Sequence, residues 1–514
     1  MVVSLPWFHY FSVAMGQGHK TKVYFLSCLI AISACDNKFQ QSPKVHTPPN
    51  VLFIAIDDLN NWLGCMNGHP NALTPHLDQL AAQGVLFTNA HCQAPLCGPS
   101  RASLMTGLRP STTGIYGMIG DDQFKQDNPA TKNIRFLPEY FKDQGYYTMG
   151  IGKLFHSHAP EGVFDESGGR EKGFGPVPEQ RFVWDGYGTS DRDNYGRTST
   201  DWGAFPEQDS LMPDHRSANW AIDRLQQEYQ QPFLLAVGFL RPHVPLYVPQ
   251  QWFDLYPVDS LQMPPYRADD LDDVPPIALQ INDLPMMPTT DWAIESEEWP
   301  RIVQAYLACV SFVDHQVGRV MEALSNSPHA NNTVVVLWSD HGYRLGEKGT
   351  FAKHALWEPA TNAPLMFKGP GIPEGLVDNT PVEMLSIYPT LLELCGLPPN
   401  PDNEGRSLAP LMNGQTPEEE YYAITTFGRN NHTVRTKNYR YIQYEDGLGE
   451  FYDMRADPEE WHNLFETADV QPQIADHRQL LPQTNAAWNQ HSQYQFQPYF
   501  VEQKARMQAQ SEEP

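Results

Sequence analysis

The sequence predicts an α/β protein in which a large mixed, mostly parallel sheet is flanked by helices and followed by a small C-terminal α+β subdomain with an antiparallel sheet. Three observations carry that prediction. Residues 51–56, 233–237 and 334–338 are short unbroken apolar runs, the pattern of strands covered on both faces of a parallel sheet. Between them lie segments with helical spacing, above all residues 302–324, where Ala305, Tyr306, Cys309, Val313, Val317, Val320 and Leu324 fall on one face. Past a Pro/Asn-rich linker near residue 398, residues 433–436, 439–442 and 450–453 read as strands of a small antiparallel sheet.

Composition narrows the function classes. The chain has 514 residues, 41% of them apolar, enough for one large core and a smaller unit. Its formal charge of -26 and its lack of a long basic run argue against nucleic acid as a partner. An anionic substrate would have to be drawn in by a local pocket against the field of the whole chain.

At the N-terminus, Lys20 and Lys22 precede an apolar run over residues 23–34, too short to span a bilayer and fitting a signal-peptide core. It ends in Ile32-Ser33-Ala34-Cys35, which resembles a bacterial lipobox and implies cleavage before Cys35 and lipid on its thiol. A plain secretory signal is the alternative. Met15 sits at the usual distance upstream and is a candidate true start, and residues 36–48 have the polar, Pro-containing character of a tether. The expected organisation is a lipoprotein signal over 1–35, this tether, a main domain over 49–398, a subdomain over 399–479 and a mobile tail over 480–514. The expected location is the periplasm or cell surface, anchored to a bacterial membrane.

The elements follow in order. The first strand delivers Asp57 and Asp58 at its end, where open α/β sheets place their ligand sites, so the pair suggests a hard-cation site; a surface Asp-Asp turn is the bland alternative. Thr74 is expected to cap a helix that begins at Pro75 and stops at Gly84, and residues 85–87 form a strand leading to Cys97. Cys97-Gly98-Pro99-Ser100-Arg101 opens a helix that closes at Gly107, a place where free N–H groups face an anion; taken alone it could be a Gly-Pro turn with a buried thiol. A helix over 136–145 and a strand over 147–151 lead to Gly152-Lys153-Leu154-Phe155-His156.

Residues 157–213 are rich in Gly, Asp, Arg and aromatics, including Trp184, Tyr187, Arg192, Tyr195, Arg197 and Trp202, as a cleft wall or lid would be. The strand over 233–237 ends in Arg241-Pro242-His243-Val244-Pro245, whose flanking prolines make a fixed, aimed histidine. The acidic, Pro-rich stretch 257–298 reads as a solvated loop. The strand over 334–338 ends in Ser339-Asp340-His341-Gly342, repeating the carboxylate-at-strand-end arrangement of Asp57 and Asp58, and Phe351-Ala352-Lys353-His354 follows. Cys65, Cys92, Cys309 and Cys395 show no metal-type spacing; buried thiols are the default, with one disulfide open, and Cys92 beside His91 is read as core.

Cys97-Gly98-Pro99-Ser100-Arg101 matches C-x-P-S-R, and the chain from 49 to 466 resembles the formylglycine-dependent sulfatases, nearest the iduronate-2-sulfatase-like and bacterial polysaccharide sulfatase branch. The G-K-x-x-H, R-P-H-x-P, S-D-H-G and A-K elements, the helix of residues 386–396 and the closing stretch 457–464 all match in the family's order. The resemblance implies an alkaline-phosphatase-like sandwich. It also implies that a maturation enzyme converts Cys97 to formylglycine, whose hydrate attacks sulfur and later expels sulfate as the aldehyde re-forms. Arg101 and Lys153 would hold the hydrate, Lys153 and Lys353 the sulfate, and His243 with His156 would serve the leaving oxygen. One calcium ion would bind Asp57, Asp58, Asp340, His341 and the modified Cys97; His341 stands where most relatives place an amide, a softer ligand than calcium prefers. The expected substrate is a sulfated oligosaccharide attacked from its end, with a 2-O-sulfated uronic acid or galactose as candidates. Two rivals stay open: a phosphoester or phosphonate hydrolase on the same scaffold, and a glycan-binding lipoprotein with an unmodified cysteine.

Overall fold

The structure is a computed structural model that describes residues 48–184, 198–416 and 418–512. The signal, Cys35, Tyr187, Arg192, Tyr195 and Arg197 lie outside the described residues.

Eight strands form the main sheet: β1 (Asn50–Ile56), β2 (Val85–Phe87), β3 (Tyr147–Gly152), β4 (Glu166–Gly169), β5 (Phe233–Gly238), β6 (Thr333–Ser339), β7 (Leu365–Lys368) and β8 (Leu376–Asp378). Their order across the sheet is β8-β2-β7-β6-β1-β5-β3-β4. Only β7 runs against its neighbours; β1 is central and pairs in parallel with β5 (Val51 opposite Leu234) and β6 (Val51 opposite Val334). The unbroken apolar run of β1 has a direct cause. Leu52, Ile54 and Ile56 enter the core on one face of the sheet while Val51, Phe53 and Ala55 enter the core on the other. Each of these side chains except Ala55 contributes roughly 1.5–3 kcal/mol by burial.

Each face is covered by helices. Helix α1 (Pro75–Ala82), α3 (Pro213–Leu225) and the long α4 (Trp299–Ser325) pack on one side, and α2 (Cys97–Thr106) on the other. The N-terminus of α1 corrects one expectation. Thr74 Oγ1 accepts the Gly64 N–H and donates to Asp78 instead of capping, and Asp314, from α4, accepts the N–H groups of His76 and Leu77 at 3.3 and 2.8 Å. A residue distant in sequence thus performs the capping that Thr74 was positioned to do.

The small sheet is an antiparallel meander of β9 (Ala423–Thr426), β10 (His432–Arg435), β11 (Tyr439–Gln443) and β12 (Gly449–Asp453), of which β9 lacked a sequence signal. Arg440 ties it to the main domain by an ion pair with Glu358, and pairs within the subdomain with Glu460. Two further expectations need correction. The acidic stretch is a packed connector rather than a solvated loop: it contains two short helices, Asp270 accepts from the buried Lys348 ammonium at 2.5 Å, and Asp273 accepts the Asn463 N–H. Residues 480–512 are packed rather than loose, because Ser492, Gln497, Phe500 and Gln503 are buried and α5 (Pro498–Glu512) lies against the subdomain. Cys65, Cys92, Cys309 and Cys395 are free thiols. Among the described residues, no helix is long and apolar enough to cross a membrane.

Candidate active site

The C-terminal ends of β1, β3, β5 and β6 converge, and each carries one of the motifs. This follows from parallel pairing, since neighbouring strands that run the same way bring their final residues to one edge. β1 delivers Asp57 and Asp58; β6 delivers Asp340 and His341; β3 delivers Lys153; the turn after β5 delivers His243. Gly152 allows the close approach of β3 and β5. Its φ is +79°, and a Cβ there would lie 2.0 Å from the Gly238 carbonyl oxygen. Helix α2 enters from the opposite face with Cys97 in its first turn and stops at Gly107, whose φ is +75°.

Cys97 sits at the centre, fully buried. Its Sγ is 3.1 Å from Lys353 Nζ, 3.4 Å from His341 Nε2 and 3.9 Å from Asp58 Oδ1. Around it, Lys153 Nζ meets Asp57 Oδ2 at 2.5 Å and Lys353 Nζ meets Asp58 Oδ1 at 2.6 Å. Arg101 places Nε 2.8 Å from Asp340 Oδ2 and Nη2 3.4 Å from Asp57 Oδ1, while Nη1 donates to the Lys153 carbonyl. Three carboxylates and three cations therefore interlock in a buried site, at near-neutral total charge.

The electrostatics follow from that packing. Burial raises Asp57, but Lys153, His243 and Arg101 outweigh it and hold the carboxyl well below its ordinary range. Burial pushes Asp58 up, against the pull of Lys353, and Asp58 Oδ2 is buried with no hydrogen-bond partner among the described residues. Asp58 also holds a left-handed backbone (φ +61°), which fixes where its carboxylate points. Burial pushes the Cys97 thiol up to about 12, so as a thiol it stays protonated at neutral pH. His243 is driven well below 6.5 by burial and by Lys353, and its Nδ1 bonds the Val244 carbonyl at 2.6 Å. His156 falls to about 3 through burial, Lys153 and Arg170.

The residues present fit a hard cation. Asp57, Asp58, Cys97 and His243 each offer a ligand atom within 4.8 Å of the others, and so do Cys97, Asp340 and His341. The orphaned Asp58 oxygen lacks a positive partner, and His341 Nδ1 bonds the Gly342 carbonyl at 2.9 Å, leaving Nε2 as its ligand atom.

Nine of the residues singled out by sequence meet here. His156 is the exception in degree: it lines the cavity beside the site, in the field of Lys153 and Asp57, without touching Cys97. That cavity holds about 780 Å³ and is bounded by Asp58, His243 and Lys353 at its floor, with residues 173–177, 198–200, 286–287 and 493–496 among its walls. Trp184 and Trp202 belong to the core, near Trp292, rather than to the cleft. Sequence reasoning missed Phe174, which stacks on His243 (4.1 Å between ring centres, parallel) and lies 5.3 Å from Lys153 Nζ. Its flanking Gly173 and Gly175 were the available signal. Tyr494 was missed too, and nothing local marked it.

A family model described as Sulfatase matches residues 49–397, and one described as N-sulphoglucosamine sulphohydrolase, C-terminal, matches residues 346–499. A curated sulfatase of Formosa agariphila is 61% identical over 95% of this chain and 97% of its own. Human iduronate 2-sulfatase is 32% identical, covering 68% of this chain and 69% of its own. Among solved structures, a 2-O GAG sulfatase superposes with a TM-score of 0.64 at 23% identity, over 84% of this chain and 91% of that one.

Proposed function

The chain belongs to the sulfatase family and is a sulfuric ester hydrolase, and from that premise we propose that it removes sulfate from the terminal sugar of polysaccharide-derived oligosaccharides. A 2-O-sulfated uronic acid or galactose is the proposed sugar, supported by the likeness to an iduronate 2-sulfatase and by a walled cavity large enough for sugar rings.

The observation that carries the reading is the setting of Cys97. A thiol pushed up to about 12 is a poor nucleophile, yet every charged group of the site is arranged around it. Conversion to formylglycine resolves that contradiction. The modified residue would supply a hydrated aldehyde able to attack sulfur and then release sulfate without a second nucleophile. Calcium, held by Asp57, Asp58, Asp340 and His341, would supply two positive charges where the carboxylates now only balance Arg101, Lys153 and Lys353.

The chain's own side chains do the rest. Arg101 locks Asp57 and Asp340 in place, and Lys353 and Lys153 present ammonium groups to the sulfate oxygens. His243, its Nδ1 committed to Val244, keeps Nε2 for the leaving oxygen; an anionic ester beside it would raise its proton affinity from the value that burial depresses. Phe174 holds the imidazole plane.

Two measurements test this. In protein made in a host that matures sulfatases, the peptide spanning Cys97 should be lighter by about 18 Da, the arithmetic of thiol to aldehyde, and Cys97→Ala should abolish sulfate release. An unmodified thiol in an active preparation sinks the formylglycine reading. Anchoring through a lipidated Cys35 is proposed from the lipobox-like sequence alone; Cys35→Ser should move the protein from the membrane fraction to the soluble one, and retention on the membrane would overturn it.

A further inference from the structure

One polar pair in the cavity takes no part in the chemistry above. His354 follows Lys353, is 2% exposed, and has a left-handed backbone (φ +23°). Its ring stacks on Tyr494 (5.4 Å between centres, 15° between planes), and its Nε2 lies 2.9 Å from the Tyr494 hydroxyl. Its Nδ1 is buried without a hydrogen-bond partner among the described residues. Both residues line the same cavity as Lys353, His156 and His243.

The unpartnered nitrogen decides the direction of the hydrogen bond. Were Tyr494 the donor, Nε2 would be the acceptor and the proton would sit on Nδ1, burying an N–H with nothing to receive it. An orphaned N–H is the rarer and costlier defect; an orphaned lone pair is better tolerated. The tautomer assigned by this network therefore carries its proton on Nε2 and donates to the Tyr494 oxygen. That leaves the Tyr494 hydroxyl hydrogen without an acceptor among the described residues, on a side chain that faces the cavity.

We infer that Tyr494 is a substrate-binding residue whose hydroxyl, oriented by His354, donates a hydrogen bond to an oxygen of the sugar ring next to the scissile ester. The inference rests on the sulfated-sugar reading and deepens it, by assigning recognition to a residue contributed by the far C-terminus. Gln493, Gln495 and Phe496 flank it on the same wall, so this segment shapes the pocket that the sugar must enter.

Tyr494→Phe removes the hydroxyl and keeps the stacked ring. Three substrates are compared for wild type and variant: 4-nitrophenyl sulfate, which has no sugar, an unsaturated 2-O-sulfated uronate disaccharide, and galactose 2-sulfate. On the saccharide that wild type cleaves, the variant should lose roughly 3- to 10-fold in kcat/KM, the worth of one neutral hydrogen bond, chiefly through KM. On the aryl ester it should stay within about 2-fold, a difference near the scatter of small surface effects, which also shows that the variant is folded. An unchanged kcat/KM on the saccharide overturns the inference, and so does an equal loss on both ester classes, which marks a structural role. Wild type cleaving the aryl ester and neither saccharide overturns the sugar reading itself, and the inference falls with it.

Discussion

Replacing Lys353 by Met tests whether the interlocked charges are catalytic, because it removes one charge and little volume. Lys353 Nζ lies 2.6 Å from Asp58 and 3.1 Å from the reactive position of Cys97, so a sulfate oxygen bound there would be about 3–4 Å away. At an effective dielectric constant near 20, a unit charge pair at about 4 Å interacts by about 4 kcal/mol. Since part of that is already present with bound substrate, the expected loss is about 10²- to 10³-fold in kcat/KM, the range seen when one donor to a developing anion is removed. The change also unpairs a buried carboxylate. Breaking a buried pair costs about 3–5 kcal/mol, and here a bound cation should offset much of it by satisfying Asp58. The assay is therefore double: kcat/KM on 4-nitrophenyl sulfate, and Tm with and without calcium. The variant's Tm deficit should be large in chelator and small in calcium. A variant within about tenfold of wild type, where at least a hundredfold is expected, or a Tm deficit indifferent to calcium, would refute this account of the site.

Three further outcomes follow from the same geometry. Chelation should lower both activity and Tm, with calcium restoring them, since Asp58 Oδ2 has no hydrogen-bond partner among the described residues and a cation there would supply one; full activity after exhaustive chelation would remove the cation from the reading. Asp314 is pushed up to about 7, mainly by burial, against the two N–H groups of α1 that it accepts. Its folded value lies above the unfolded one, so its contribution is present below about pH 4 and is lost as pH rises through about 7, by up to about 4 kcal/mol. Asp314→Asn should accordingly flatten the fall in Tm between about pH 4 and 7; an unchanged slope would place the cause elsewhere. Finally, the sulfate monoester of 4-nitrophenol should be turned over more efficiently than its phosphate counterpart, and the reverse preference would favour the phosphoester rival.

Most of the sheet was legible because β1, β5 and β6 are covered on both faces, and two-sided burial leaves a short apolar run that no surface strand shares. The reactive cluster was legible for a related reason. Asp57 and Asp58, Lys153, and Asp340 with His341 each follow a strand directly, so position in the fold is encoded by position beside a recognisable run. The α1 cap was misread because Asp314 reaches it from another helix, which no local pattern records. The acidic connector and the C-terminal segment were misread because their polar residues suggest solvent, whereas Asp270 is paired with Lys348 and Gln503 is satisfied by Arg429, Glu445 and Tyr499. A buried polar side chain with its partners supplied by tertiary contacts is indistinguishable, in one dimension, from an exposed one.

The division between what the sequence displays and what it hides coincides with the division between reaction and recognition. Cys97, Arg101, Lys153, His243 and Lys353 must hold fixed distances to one sulfur atom, so Cys97 and Arg101 stand on the helix facing the sheet edge, Lys153 directly follows a strand, and His243 and Lys353 sit on buried connections beside that edge. The cavity beside them is walled instead by Gly173, Phe174, Gly175, Val177 and the stretches 198–200, 286–287 and 493–496, connecting or terminal segments with no shared period and no common element. Substitutions in those walls leave the charged floor intact. Relatives can therefore keep one chemistry while exchanging sugars, and family membership alone fixes the bond broken here more firmly than the molecule that carries it. Substrate identity is accordingly to be sought in Tyr494, His354 and the segments around them, rather than in the motif that announces the reaction.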